Sequence, residues 1–256
     1  MTRAIALVDL DDTLFQTLGK CPNGVAPERL TALGFTRDNV PLSYATPSQM
    51  RFLSWLSDTT RLIPVTARSL DALRRVSIPF TSAVCAHGGV ILDDEGSIDR
   101  VWAEEIAAHA ARHSEDLSRF SAAIADKARS TGTSINVRVL TENGTPLYVV
   151  AKHAAADAAS LNWTVDAAVP RLPEGWTDHR NGNNIALMPP YLGKQHAVAR
   201  LLPALRARFP DAPVIGIGDS RTDAPFMALC DYAMMPTRSQ SSGSRSRLPT
   251  SSPKRR

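Results

Sequence analysis

The sequence is poor in cysteine and has no long apolar run. Only three cysteines occur in its 256 residues, at Cys21, Cys85 and Cys230. An odd number of widely spaced cysteines fits neither a disulfide framework nor a thiolate metal site, so we expect free thiols and a cytoplasmic protein. The apolar runs are too short to span a bilayer. Acidic residues also interrupt the N-terminal run before a secretory signal could form, so we expect no membrane partner.

Acidic residues are missing from the last part of the chain, residues 237–256. This tail holds six basic residues, Arg238, Arg245, Arg247, Lys254, Arg255 and Arg256. The whole chain has a formal net charge of +4 and a pI of about 9.2, so the rest of the chain is slightly acidic. The pI therefore predicts no specific nucleic-acid partner, although an Arg/Ser tail could attract phosphates without specificity. Because the tail is almost without apolar residues, we expect it to be disordered.

What the chain does contain is an acidic cluster directly after a short apolar run. Residues 4–8 predict a strand that is buried on both faces, and Asp9, Asp11 and Asp12 follow it at once. Carboxylates at the end of a buried strand are costly unless a cation or hydrogen-bond donors compensate them. Ligands of open α/β sheets bind at this edge. The cluster therefore indicates a binding site, with a solvated turn as the alternative.

The same arrangement of an apolar strand followed by polar side chains recurs later in the chain. Predicted strands at 62–65 and 213–218 lead to Thr66 and to Asp219 with Asp223, respectively. Because the carboxyl ends of parallel strands meet at one edge of a sheet, we expect these side chains to converge on the first acidic cluster.

The pattern changes between these two segments. The predicted elements are helices over 101–129, strands over 135–141 and 147–152, a helix over 154–161 and strands over 176–180 and 184–188. Asn143-Gly144 between the first two strands is a strong hairpin signal. We therefore predict an inserted α+β domain over residues 87–188. The core is predicted to be an α/β domain with a doubly wound, mainly parallel sheet, formed by residues 1–86 and 189–236.

Two other stretches give local predictions. Glycine and proline are frequent in residues 16–45, which predicts a long loop. Thr46 followed by Pro47 is typical of the start of a helix, and residues 195–209 predict another helix.

The order of these groups resembles the haloacid dehalogenase superfamily of phosphohydrolases. The resemblance covers residues 4–236 and rests on Asp9-Leu10-Asp11-Asp12-Thr13, Thr66, Lys194 and the turn Gly218–Asp223. It implies a Rossmann-like core with a cap. The long insertion between Thr66 and Lys194 resembles a C2-type cap, which is similar to the sugar-phosphatase branch with Cof-like, sucrose-phosphate and mannosylphosphoglycerate phosphatases.

The resemblance implies a role for each motif residue. Asp9 is expected to be the nucleophile that forms an aspartyl-phosphate. Asp11 is expected to protonate the leaving oxygen and then to act as the base on water. Strand geometry is consistent with this pair, because residues i and i+2 point to the same face.

A phosphate ester is an anion that repels an attacking carboxylate, and Mg²⁺ can neutralise that charge. The expected Mg²⁺ ligands are Asp9, the Asp11 carbonyl and Asp219, with Asp223 in support. Thr66 and Lys194 are expected to bind the phosphoryl group. A helix-capping or turn threonine and a solvated lysine are the alternatives.

Three further residues are candidates for contacts to the substrate. Arg68 follows Thr66 closely and could touch phosphate, with a surface ion pair as the alternative. Arg180 and Asn183 belong to a polar cluster, Asp178–Asn184, at a predicted turn of the cap. This cluster predicts sugar contacts, with a solvated hairpin turn as the alternative.

The sequence thus predicts a Mg²⁺-dependent phosphatase, a phosphoric monoester hydrolase acting on a small metabolite of the sugar-phosphate class. Asp11 argues against a dehalogenase, which needs no acid for its leaving group. A phosphomannomutase-like phosphomutase is the nearest alternative, and it would return the phosphoryl group to another hydroxyl. A phospho-acceptor similar to a receiver domain is the next, but receivers are shorter and have no cap. The sequence names neither the substrate nor the oligomeric state.

Overall fold

A parallel sheet lies at the centre of the protein. The structure is a computed structural model and describes residues 3–237, so the predicted disorder of the tail falls on residues outside this range, apart from Thr237. Its sheet has the order β13–β12–β1–β5, with β1 at Ile5–Val8, β5 at Arg61–Pro64, β12 at Val214–Ile217 and β13 at Tyr232–Met234. All neighbours in it pair in parallel. The predicted class of the core sheet is confirmed.

Burial explains why β1 has no polar side chain. Its four residues are fully buried, and alternate residues point to opposite faces, so both faces of the strand are covered. The helices of this part are α1 at Pro47–Thr59, α2 at Leu70–Leu73, α5 at Lys194–Arg208 and α6 at Ala224–Met227. Pro64 is tolerated because it ends β5, which is an edge strand of this sheet.

The start of α1 is determined locally. The Thr46 hydroxyl accepts a hydrogen bond from the Gln49 backbone N–H, and the Gln49 side chain accepts one from the Thr46 backbone N–H. Pro47 occupies the first helical position, where its missing N–H costs nothing. The predicted helix start is therefore confirmed as a capping box.

An antiparallel sheet with two helices on one face forms the inserted region. Its strands follow the order β10–β11–β9–β8, and α3 and α4 pack on it. The bounds are α3 at Arg100–Ser130, β8 at Ile135–Glu142, β9 at Thr145–His153, α4 at Ala158–Ala168, β10 at Thr177–Arg180 and β11 at Ile185–Met188. We call this region the cap. The predicted hairpin is confirmed, with positive φ at both Asn143 and Gly144.

Strand β9 divides the cap sheet into two faces. Val149 and Ala151 pack with Leu117 and Ile124 of α3 in a separate hydrophobic cluster. Tyr148 and Val150, which alternate with them, point the other way and belong to the cluster that contains β1. This alternation turns one face of the cap sheet towards the end of the core sheet.

The long loop predicted over residues 16–45 was wrong. These residues contain a small antiparallel sheet, β2–β4–β3, with β2 at Gln16–Thr17, β3 at Thr31–Phe35 and β4 at Pro41–Ala45. Gly34 lies at a bulge of β3, where an added Cβ would be 3.0 Å from Ser43 Cβ. Such tertiary packing is not visible in composition.

The helix predicted over 154–161 begins later. The Asp157 side chain accepts hydrogen bonds from the backbone N–H groups of Ala159 and Ser160 and thereby caps α4. Ala156 has a φ of 59°, which a helix does not allow.

A short antiparallel pair of strands, β6 at Ala83–Cys85 and β7 at Val90–Leu92, leads into the cap. No helix within residues 3–237 has the length and apolarity needed to cross a membrane.

Candidate active site

Asp9 lies at the carboxyl end of the central strand. Its backbone N–H donates to the Ile217 carbonyl at 2.8 Å, which continues the pairing of β1 with β12 by one residue. The residue is only 5% exposed. Its Oδ2 accepts a hydrogen bond from the Thr13 hydroxyl at 3.1 Å, and its Oδ1 accepts one from Lys194 Nζ at 2.6 Å. The carboxylate is thus held in one orientation.

Lys194 joins two buried carboxylates. As the first residue of α5, it donates from Nζ to Asp9 Oδ1 and to Asp223 Oδ1, both at 2.6 Å. Burial alone would lower the pKa of Lys194, but the two carboxylates outweigh burial and raise it above its ordinary value. The lysine is therefore a fixed positive charge at any physiological pH.

The turn after β12 fixes Asp223. The backbone N–H and the hydroxyl of Ser220 donate to Asp223 Oδ2 at 3.0 and 2.6 Å. Burial would raise the pKa of Asp223, but Lys194 and these hydrogen bonds lower it overall. A Cβ on Gly218 would lie 2.5 Å from Asp223 Cβ, so only glycine allows the carboxylate this close approach.

Asp9, Asp219 and Asp223 form a buried carboxylate cluster. Each contributes one oxygen, and these oxygens lie within 4.8 Å of one another. Burial raises the pKa of Asp9 to about 7, even though Lys194 acts in the opposite direction. Three carboxylates against one lysine leave an excess of negative charge, and carboxylate oxygens are the ligands that hard divalent cations prefer. The donor set therefore fits Mg²⁺.

Asp11 is held by Arg68. The guanidinium donates from Nε to Asp11 Oδ2 and from Nη2 to Asp11 Oδ1, both at 2.7 Å, and Nη2 also donates to the Ser43 hydroxyl at 3.1 Å. The same guanidinium lies 5.0 Å from the centre of the Phe15 ring. Of the two alternatives for Arg68, the structure has the ion pair, but inside a cleft rather than on the open surface.

Thr66 is fully buried at the turn after β5. Its hydroxyl oxygen accepts a hydrogen bond from the Arg68 backbone N–H at 3.1 Å, and its own N–H donates to the Val84 carbonyl. The hydroxyl thus stabilises the turn that presents Arg68. Its predicted contact to a phosphoryl oxygen stays a prediction.

A cleft of about 780 Å³ separates the carboxylate cluster from the cap sheet. His179 and Asn181 line it from the cap. The structure does not bring Arg180 and Asn183 into its wall. Since side chains alternate along β10, Arg180 points away, and it pairs with Asp166 at 2.7 Å and Asp178 at 2.5 Å.

Asn183 forms hydrogen bonds with the backbone of His153 within the cap. It donates from Nδ2 to the His153 carbonyl at 2.6 Å and accepts from the His153 N–H at 3.0 Å. These bonds tie the turn between β10 and β11 to the end of β9. The geometry therefore does not support the substrate contacts predicted for Arg180 and Asn183.

Sequence reasoning included His179 in the polar cluster Asp178–Asn184 but did not single it out as a residue of the cleft. Its ring lies 5.3 Å from that of the buried His87, and its Nδ1 is 3.3 Å from the Thr222 hydroxyl. Burial and the charge of Lys194 lower the pKa of His179, so the ring is neutral at physiological pH. The alternation of side chains along β10 was the signal that could have singled it out.

No family model and no curated protein matches the sequence. Solved structures do match. The sucrose-phosphatase from Synechocystis sp. PCC6803, in complex with sucrose and phosphate, gives a TM-score of 0.51 at 16% identity over 89% of this chain and 80% of that chain. The C-terminal domain of the C. albicans trehalose-6-phosphate phosphatase gives 0.58 at 15% identity over 88% and 73%.

The fold is that of the haloacid dehalogenase phosphatases. The IMP-nucleotidase from Plasmodium falciparum shares it as well, with a TM-score of 0.53 at 10% identity over 94% of this chain and 66% of that chain. Identities this low establish the fold alone. Function depends on the side chains that the cleft brings together.

Proposed function

We propose that this protein is a Mg²⁺-dependent phosphatase that hydrolyses a small phosphorylated metabolite through an aspartyl-phosphate. One observation carries the proposal. A buried aspartate at the end of the central strand is held by a lysine that also binds a second aspartate, and a third aspartate lies beside them. This arrangement supplies a nucleophile, a fixed positive charge and a divalent-cation site within one cluster.

Asp9 is the proposed nucleophile. Its carboxylate attacks phosphorus, the new bond joins an Asp9 oxygen to phosphorus, and the bond from phosphorus to the leaving oxygen breaks. Thr13 and Lys194 restrict the carboxylate to one orientation, which lowers the entropic part of the barrier. A Mg²⁺ ion held by Asp9, Asp219, Asp223 and the Asp11 carbonyl would neutralise the charge of the phosphoryl oxygens.

Asp11 is the proposed acid and base. It gives a proton to the leaving oxygen, then accepts a proton from the water that attacks phosphorus and releases Asp9. Both of its oxygens accept hydrogen bonds from Arg68 in the resting site. A proton on the carboxyl group removes its charge and weakens it as an acceptor, so the hydrogen bonds from Arg68 weaken during turnover. An arriving phosphate anion competes for the same guanidinium.

The substrate is proposed to be a phosphorylated sugar or a metabolite of similar size. A cleft of about 780 Å³ lies within the range of ordinary small-molecule sites. Two of the structures that share the fold are a sucrose-phosphatase and a trehalose-6-phosphate phosphatase, which supports this class. The free thiols of Cys21, Cys85 and Cys230 are consistent with a cytoplasmic location.

The test is phosphate release from a panel of sugar phosphates, other metabolite phosphates and p-nitrophenyl phosphate. We expect inorganic phosphate to be released in the presence of Mg²⁺. A chelator should stop this release, and added Mg²⁺ should restore it. Asp219→Asn should raise the Mg²⁺ requirement, whereas Asp116→Asn, which changes a partly exposed ion-pair residue of α3 outside the cleft, should not. Product formation without inorganic phosphate would favour a phosphomutase, and full activity in the chelator would contradict the metal site.

A further inference from the structure

The charges in the cleft are not all compensated in the same way. Six basic side chains line it, and they are Arg37, Arg68, Arg75, Arg138, Lys152 and Lys194. Four of them form ion pairs: Arg37 and Arg75 with Asp71, Arg68 with Asp11, and Lys194 with Asp9 and Asp223. Within residues 3–237, Arg138 and Lys152 have no ion pair and no side-chain hydrogen bond.

These two residues lie on the face of the cap sheet that is turned to the core. In the β8–β9 hairpin, Arg138 pairs with Val150 and Asn136 pairs with Lys152. Paired residues of antiparallel strands share a face, and diagonal neighbours on that face lie within reach of long side chains. Arg138 and Lys152 therefore stand side by side on the wall opposite Asp11.

Charged groups of both the cap and the core act on Lys152. The side chain of Lys152 keeps access to water, but its partial burial between the cleft walls and the positive charge of Arg138 lower its pKa, and the negative charge of Asp11 acts in the opposite direction. Two like charges on neighbouring strands repel each other. The cap pairs its outward Arg180 with two carboxylates but places no carboxylate beside this cleft-facing pair.

We propose that Arg138 and Lys152 form a second anion subsite, and that the natural substrate carries a carboxylate or a second phosphate on its leaving group. This deepens the proposed function and rests on it. The phosphoryl group that is hydrolysed lies at Asp9, and the second anion lies against the cap sheet. A substrate that bridges the cleft in this way neutralises the charge of the pair and draws the cap towards the core.

The test uses two pairs of esters that differ in the second charge. Sorbitol 6-phosphate and 6-phosphogluconate share an open six-carbon chain, and fructose 6-phosphate and fructose 1,6-bisphosphate share a ring. We expect kcat/KM for the more anionic member to be higher by about tenfold or more, as for a charge-assisted hydrogen bond. Lys152→Met and Arg138→Met should each remove most of this preference, and Lys152→Arg should keep it.

Lys127→Met is the control, because it removes a lysine of α3 that lies over the Trp163 ring, outside the cleft. It should leave the preference unchanged. Absence of a preference in the native protein, or a preference that survives both Lys152→Met and Arg138→Met, would overturn the subsite.

Calorimetric Kd values for the same esters separate this result from the proposed function. They are measured on the native protein if no ester is hydrolysed, and on Asp9→Asn if turnover interferes. Hydrolysis of no ester would contradict the phosphatase. Tighter binding of the anionic esters, lost in Lys152→Met, would still support the subsite, and equal binding would reject it.

Discussion

At the core end of the cleft, Asp9, Lys194 and Asp223 are buried and joined by ion pairs. At the cap end, Arg138 and Lys152 are exposed and have no ion-pair partner within residues 3–237. A buried charge is tolerated only when it is compensated, so Lys194 has to lie between Asp9 and Asp223 before a substrate arrives, and the remaining negative charge favours a bound cation. An exposed cation costs little, because water solvates it. At the cap end, the substrate itself can therefore supply the negative charge that pairs with these two cations.

The first prediction removes the nucleophile from the core end. Asp9→Asn should lower kcat by more than about a thousandfold, since an amide does not attack phosphorus. The variant should still fold, because Asn keeps the shape of the side chain. Phosphate release on p-nitrophenyl phosphate measures the effect, and substantial activity in a folded variant would contradict the assignment.

The same variant should also change how the melting temperature depends on pH. Burial raises the pKa of Asp9 to about 7, so its ionisation destabilises the metal-free fold as the pH rises from the unfolded value through this pKa. Asp9→Asn should therefore raise the melting temperature of metal-free protein at pH 8, by roughly 2–4 °C per kcal/mol gained. At pH 5 the native carboxyl is largely neutral, so the gain should be smaller, and it should vanish only below the ordinary aspartate pKa of 3.8. A gain of equal size at both values would argue against a raised pKa.

A second prediction concerns Lys194, whose loss leaves two buried carboxylates without their cation. Breaking a buried ion pair costs about 3–5 kcal/mol, so Lys194→Met should lower the melting temperature of metal-free protein by roughly 6–20 °C. Combining it with Asp9→Asn should restore part of the loss, because one of the two repelling charges is then gone. Calorimetric melting with Lys127→Met as the matched control checks this, and a double variant no more stable than Lys194→Met would contradict it.

The core end was largely predictable from the sequence, and the cap end was not. Asp9, Asp219 and Asp223 all follow predicted parallel strands, so their convergence could be expected from the strand pattern. The resemblance to the haloacid dehalogenase superfamily implied the addition of Lys194. The cap residues depend on which face of a strand meets the cleft. A shift of one position along β10 exchanges His179 for Arg180, and the sequence alone favoured Arg180 because of its chemistry.

Residues 16–45 show the same limit of prediction from local sequence. Their glycines and prolines predicted a loop, yet Ser43 of β4 accepts a hydrogen bond from the guanidinium that holds Asp11. This contact joins residues that are distant in sequence, and local composition does not contain it. The parallel class of the core sheet followed from repeated local patterns, whereas the small sheet that was missed depends on partners elsewhere in the chain.

A third, smaller effect is expected where the two ends meet, at Arg68. If Arg68 orients Asp11 for proton transfer, Arg68→Gln should lower kcat/KM for an alkyl phosphate by about tenfold, the value of one charge-assisted hydrogen bond. It should lower p-nitrophenyl phosphate turnover less, since that leaving group needs little protonation. Arg37→Gln, which removes a cleft arginine paired with Asp71, should change neither. Equal losses on both substrates would place Arg68 on the phosphoryl group instead.

The smallest effect is expected for Arg180, which shares the cap with Lys152 but points to the other side of its sheet. Its guanidinium pairs with Asp166 and Asp178 near the surface, and ion pairs of this kind contribute about 0–1 kcal/mol. Arg180→Ala should therefore shift the melting temperature by at most roughly 4 °C. It should also leave kcat/KM for 6-phosphogluconate unchanged, whereas Lys152→Met lowers it. Measuring both variants side by side tests the alternation of the cap strands directly, because a loss in Arg180→Ala equal to that in Lys152→Met would mean that the opposite face of β10 meets the substrate.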